Sequence, residues 1–193
     1  MKLKYPLVLA SNSPRRQSIL RELGIEFIIR TIDIPEVFPP WLPVDEIPGF
    51  IARRKAEAFD AFDPSMMILT ADTIVTSSGK ILGKPKDDAE ASEMLLNLSG
   101  KPHKVYTGVC LRIKENFHTI TDCTEVFFKK LSKKEIEYYI HHYMPLDKAG
   151  AYGIQEWIGM IGIKKIRGSY VNVVGLPVSK VYDLFKELDL IEL

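Results

Sequence analysis

The first apolar positions of the chain come as a block: PLVLA (6–10) is a short unbroken run of the kind that buried parallel strands show. The polar stretch SNSPRR follows, and after it Ile19, Leu20 and Leu23 recur on one side of an amphipathic pattern that stops at Gly24. Ser13 offers an N-cap and Pro14 a first-turn residue, so the opening predicts strand, tight loop, helix. EFIIRTI (26–32) predicts a second strand, and DIPEVFPPWLPVDEIP a proline-rich connection suited to a lid or site wall. Between Gly49 and Phe62 the apolar residues Phe50, Ile51, Ala58, Phe59 and Phe62 return at roughly helical spacing. MMILTA (66–71) predicts another buried strand, ending at Asp72-Thr73, and IVTSSGKIL a hairpin that turns at Ser78-Gly79.

The second half continues to interleave the two periods. Asp87 to Leu98 predicts a helix with acidic residues in its first turn and Gly100 behind it. HKVYTGVCLRI and HTITDCTEVFF predict a hairpin through Lys114 to Phe117, and Ser132 to Glu135 form a capping box that opens a further helix. The tail alternates short β-like pieces with DKAGAYGIQ (147–155) and GSYVNVVGLP, then closes with an amphipathic helix from about 178 to 188. Strands and helices in this alternation indicate an α/β or mixed-sheet fold.

Composition narrows the picture without redirecting it. The chain has 193 residues, 46% hydrophobic and 26% charged, enough for one substantial core or two small domains. Twenty-six Lys and Arg against 25 Asp and Glu give a net charge of +1, so no global field favours a nucleic-acid polymer or an acidic membrane. An anion site must therefore be local. No window approaches the roughly 18 apolar residues of a membrane span. The first apolar run is also shorter than the roughly 7 residues of a secretory signal core. Two cysteines, Cys110 and Cys123, make no disulfide framework and are expected to be core thiols. A cytoplasmic location is expected.

Several residues could carry chemistry. A strand feeding a helix N-terminus forms an anion site by geometry, and Arg15 and Arg16 in its first turn add guanidinium forks suited to phosphate oxygens. Cations are unfavourable against the helix dipole there, which points to a bound anion; the simpler account is a Ser13 cap with solvated arginines. Asp72, at the expected end of its strand, suits a metal ligand or a base for water attack on phosphorus, against a turn aspartate with nothing to cap. Lys55 and Lys84 are single ammonium groups that would ordinarily be solvated. Neither a Walker loop nor a G-x-G-x-x-G fingerprint is present. His141 and His142 are adjacent on a predicted helix and make poor co-ligands, while His103 and His118 sit singly in strands.

Six motifs in one order, S-N-S-P-R-R, A-D-T-I-V, G-K-P, L-S-G-K-P-H-K-V-Y-T-G-V, D-K-A-G-A-Y-G-I-Q and G-S-Y-V-N-V-V-G-L-P, resemble the Maf family of nucleoside triphosphate pyrophosphatases over about residues 7–180. The resemblance implies hydrolysis of a nucleoside triphosphate to the monophosphate and pyrophosphate, aided by a divalent cation, Mg²⁺ or Mn²⁺. It implies a mixed twisted sheet flanked by helices, like that of the inosine triphosphate pyrophosphatases, with an active-site cleft at strand ends. The expectation is one domain over residues 1–193, with two lobes around a cleft as a variant, and a homodimer by family analogy. Asp72 matches the catalytic, metal-binding carboxylate; Ser11, Arg15 and Arg16 match the phosphate loop; Lys55 and Lys84 match its two lysines. Glu36 is the choice for a second acidic metal ligand, with Asp33 left open.

Arg15, in place of the tryptophan of the 7-methyl-GTP branch, together with Thr73 and Gln155 resembles the dTTP and UTP branch. A primary amide at Gln155 offers a donor and an acceptor that match O4 and N3 of uracil or thymine. Two rivals stand beside this reading. One is a pyrophosphatase for modified nucleotides, purines included; the other is a non-catalytic nucleotide-binding regulator of cell division.

Overall fold

The computed structural model describes residues 1–59 and 63–192, so Phe62 of the expected helix lies outside the described residues. In chain order the strands are β1 (Lys2–Leu3), β2 (Leu7–Leu9), β3 (Phe27–Ile29), β4 (Met67–Ser77), β5 (Lys80–Leu82), β6 (Pro102–Ile113), β7 (Asn116–Phe128), β8 (Ile163–Arg167) and β9 (Ile191–Glu192). The α-helices are α1 (Pro14–Glu22), α2 (Ile47–Glu57), α3 (Asp88–Leu98), α4 (Lys133–Tyr143), α5 (Trp157–Gly162), α6 (Tyr170–Val174) and α7 (Val178–Glu187). The main sheet runs β3-β2-β4-β6-β7-β8 with β5 on β4, and β1 pairs antiparallel with β9. Parallel pairing of β2 with β3 and β4, and antiparallel pairing of β4 with β5 and β7 with β8, make the sheet mixed, an α/β fold as the alternation of periods implies.

Two compact units divide the chain: Met1–Asp72 with Thr107–Asp122 and Gly175–Leu193, and Thr73–Tyr106 with Cys123–Val174. In the first, β2 is a fully buried central strand between parallel neighbours, while β3 keeps Ile28 and Ile29 exposed. Its strand is three residues where EFIIRTI promised seven, since only Phe27–Ile29 find partners on β2. Helix α1 buries Ile19 and Leu20, and Gly24 takes the left-handed conformation after it (φ 69°).

The second unit gathers α3, α4 and the 149–158 segment on one apolar cluster that includes Leu95, Leu98, Val105, Val126, Phe128, Ile136, Tyr139 and Ile158. The β4–β5 hairpin turns through Ser78 (φ 51°) and Gly79 (φ 77°), the left-handed pair a tight primed turn requires. Ser132 accepts from Glu135 N and the Glu135 carboxylate accepts from Ser132 N, closing the capping box at 3.2 and 2.7 Å.

Three local expectations are corrected. β4 does not end at residue 71 but runs to Ser77, so Asp72 lies within it; Thr73-Ile74-Val75-Thr76 are strand formers that keep the ladder going. Ser13 makes no side-chain cap; the Ser11 hydroxyl instead accepts from Ser13 N at 3.2 Å. The β-branched run YVNVV, left unassigned by its sequence, is helical, with buried Asn172 donating to Thr124 Oγ1 (2.9 Å) and Val105 O (3.1 Å). Cys110 is buried, whereas Cys123 is exposed.

Candidate active site

Two consecutive cations on α2 organise the proline-rich connection of the first unit. Arg54 donates to the carbonyls of Pro35 (3.2 Å) and Val37 (2.9 Å), and Lys55 Nζ lies 2.7 Å from Glu36 Oε1. The loop is thereby anchored to the helix through residues 35–37, and Glu36 is the acidic residue it delivers; Asp33 stays exposed. Sequence reasoning missed Arg54, since the carbonyls it binds are defined only once the loop has folded back on α2.

The same Lys55 ammonium reaches Asp72 Oδ1 at 2.8 Å. Two carboxylates from the loop and from β4 thus converge on one cation. Lys55 and Asp72 are mostly shielded from solvent, with side chains 16% and 10% exposed, while Glu36 is 45% exposed. Burial pushes the Asp72 carboxyl above its usual range, the Lys55 ammonium and the Arg16 guanidinium pull it back, and Glu36 adds to the upward push. A buried acid held between such opposed influences is the kind of group that hydrolytic sites employ.

Arg16 leaves the first turn of α1 to tie three parts of the first unit together. Its Nε donates to Gly175 O at 2.8 Å, and its Nη1 donates to Ala71 O at 3.0 Å and Ser11 Oγ at 3.2 Å. Burial draws the guanidinium pKa down, opposed first by Asp72, with Arg15 adding a like-charge push downward. Ser11 and Arg16 are thus linked to each other, Glu36 and Asp72 are linked through Lys55, and Arg16 and Asp72 act on each other electrostatically, as Arg15 does on Arg16.

Thr73, Lys84 and Gln155 belong to the second unit. Thr73 follows Asp72 on β4, and alternation along the strand turns their side chains to opposite faces. Lys84 is exposed, and its neighbour Gly83 accepts from Gly150 N at 3.0 Å, which ties the G-K-P turn to the 147–155 segment. Gln155 is half-buried with Nε2 directed at Glu156 Oε1 (3.5 Å). Lys148, Tyr139 and Glu156, none singled out by sequence reasoning, form an ionic and hydrogen-bonded group around it.

The donor set at Glu36 and Asp72 is of the right kind for a hard dication: two carboxylates suit Mg²⁺ or Mn²⁺, which characteristically complete their shells with water and phosphate oxygens. Among the described residues no group of three or more His, Cys, Asp or Glu gathers for an all-protein metal cage.

A family model described as Maf-like protein matches residues 6–188. The chain is 49% identical over 187 residues to a protein of Bacteroides thetaiotaomicron named dTTP/UTP pyrophosphatase, covering 96% of this chain and 97% of that one. Proteins of the same name from Phocaeicola vulgatus and Flavobacterium johnsoniae are 50% identical (96% and 97% covered) and 46% identical (96% and 96% covered).

Proposed function

The chain belongs to the Maf-like protein family, and on that premise we propose that it is a nucleoside triphosphate pyrophosphatase acting on dTTP and UTP. The observation that carries the reading is the convergence of Asp72 and Glu36 on Lys55 beside the Arg16 fork. Mere recognition of a base would not require this many charges; a triphosphate would.

In this account water attacks the α-phosphorus, the bond from that phosphorus to the bridging oxygen breaks, and pyrophosphate departs with the electron pair. Lys55 has three N–H donors, two directed at Glu36 and Asp72, which leaves one for a phosphate oxygen. Arg15, Arg16 and Ser11 bind phosphate oxygens at the start of α1, and Lys84 adds a further cation. Asp72 orients or deprotonates the attacking water, and with Glu36 it would hold a divalent cation. Such an ion, when bound, withdraws charge from the phosphate oxygens and stabilises the leaving pyrophosphate.

Thr73 and Gln155, with Arg15, are assigned to selecting the base. A polar site that pairs with one base edge rejects others because its own buried groups would be left unsatisfied.

The test is pyrophosphate release from dTTP, UTP, CTP, GTP and 7-methyl-GTP with Mg²⁺ or Mn²⁺. Release concentrated on dTTP and UTP is the expected result. Tight nucleotide binding without release under any of these conditions would favour a binding regulator, and preference for purine triphosphates would move the substrate class. Arg15→Trp should change the substrate ranking; an unchanged ranking removes Arg15 from base selection and leaves its phosphate role intact.

A further inference from the structure

Glu156 plays no part in the account above, yet it is held on several sides. The Tyr139 hydroxyl donates to Glu156 Oε2, Lys148 Nζ stands 3.2 Å from Oε1, and Gln155 Nε2 faces Oε1 at 3.5 Å. The holders are themselves fixed. Tyr139 is fully buried on α4 and its hydroxyl accepts from Gly153 N at 3.0 Å. Burial, and then the bond to Glu156, push that phenol well above its ordinary range, so it remains a donor. Lys148 is buried and also paired with Asp147 Oδ1 at 2.6 Å. Gly153 supplies the room: a Cβ there would come within 2.7 Å of both Gln155 Nε2 and Glu156 Cδ.

A glutamine amide turned by half a rotation exchanges donor for acceptor at little steric cost, so glutamine alone can pair with a keto edge or an amino edge. A fixed carboxylate removes that freedom. It accepts and cannot donate, so the amide NH₂ must face Glu156 and the amide oxygen must face away. Gln155 Oε1 is in fact buried, with no hydrogen-bond partner among the described residues. One N–H is spent on Glu156; the other stands beside that oxygen.

We propose that Glu156 is a positioning residue for base selection, locking the Gln155 amide in the orientation that pairs with N3–H and O4 of uracil or thymine. Cytosine presents the reverse order, an acceptor at N3 and a donor at N4, and would require the turned amide that the carboxylate forbids. The inference rests on the reading that Gln155 meets the base of a triphosphate substrate, and deepens it by naming what makes an ambidextrous side chain selective.

The experiment compares kcat/KM for UTP and CTP, followed by pyrophosphate release, in the wild type, Glu156→Gln, Gln155→Ala and the double variant. Glutamine at 156 can donate as well as accept, so the neighbouring amide is free to turn. The UTP-to-CTP preference should shrink at least about tenfold in Glu156→Gln, while the same change made on Gln155→Ala should move the ratio by less than about twofold. Tyr139→Phe, which releases Oε2 but keeps the charge, should shift the ratio in the same direction by less, and it carries the test if Glu156→Gln fails to fold. An equal fall on both substrates, or an unchanged ratio, overturns the inference. A wild-type protein that turns over UTP and CTP equally overturns it while leaving the function reading standing; one that releases no pyrophosphate from any triphosphate overturns both.

Discussion

The polar cluster around Lys55 and the one around Lys148 use the same ingredients to opposite ends. Each centres on a mostly buried lysine between two carboxylates: Glu36 and Asp72 in one, Asp147 and Glu156 in the other. Around Lys55, one partner sits on an irregular loop and is half-exposed, the other has its pKa pushed up by burial, and a guanidinium stands close by. In the proposed function such contacts are exchanged for those of a multiply charged ligand. Around Lys148 one partner, Asp147, is likewise exposed, but the Glu156 oxygens are taken up by a tyrosine hydroxyl and an amide, and Gly153 closes the packing. That group is scaffolding. A buried ion pair therefore does not announce its role by composition; the role follows from whether its partners are fixed by the fold or could be replaced by a substrate.

Exchange of the two roles is what the following tests could reveal. Asp72→Asn should lower the rate of pyrophosphate release from UTP by at least about 10³-fold with a nearly unchanged melting temperature; substantial retained turnover would move the chemistry away from this cluster. Lys148→Met should do the reverse. Leaving the mostly buried Glu156 without its cation should cost about 3 kcal/mol of stability in urea unfolding, with phosphate chemistry still measurable in the folded fraction.

Beside the same scaffolding, His103 is buried against Tyr152, its Nε2 2.8 Å from the hydroxyl, and burial lowers its pKa to about 4. The unfolded histidine titrates near 6.5, so above that pH both states are neutral and the stability is complete. As pH falls from 6.5 towards 4 the unfolded chain takes up the proton first, and up to about 3 kcal/mol is lost. Urea titrations at pH 7.5, 5.5 and 4.5 should show this slope in the wild type and lack it in His103→Gln. The smallest effect is reserved for the helix that carries Tyr139: Ser132→Ala removes the α4 cap and should cost about 1 kcal/mol, without altering the UTP-to-CTP preference.

How far these two clusters were visible in the sequence differs for a physical reason. The first unit's opening is written in local signals: an apolar run, Pro14 at the helix start, Gly24 at its end, and arginines where a helix dipole disfavours them. The hairpin at Ser78-Gly79 and the Ser132 box are equally local. The strand through Asp72 reads short because a polar residue inside a buried strand looks like a boundary, and the helix at YVNVV carries no local signal because Asn172 is satisfied by Thr124 and Val105, 48 and 67 residues away. The Glu156 group was missed on the same grounds. Nothing near Glu156 in the chain says that Tyr139, 17 residues earlier, will point its hydroxyl at it.

The bond from Arg16 to the carbonyl of Gly175 closes a span of 159 residues. Loop-closure entropy defers so distant a contact until most of the polypeptide has collapsed, and at a ribosome it also has to wait for synthesis to proceed past residue 175. A nascent chain can therefore display SNSPRR early without holding the arginine in its folded position. The Arg16 contact is thus a late one, made only when the C-terminal part of the first unit is in place.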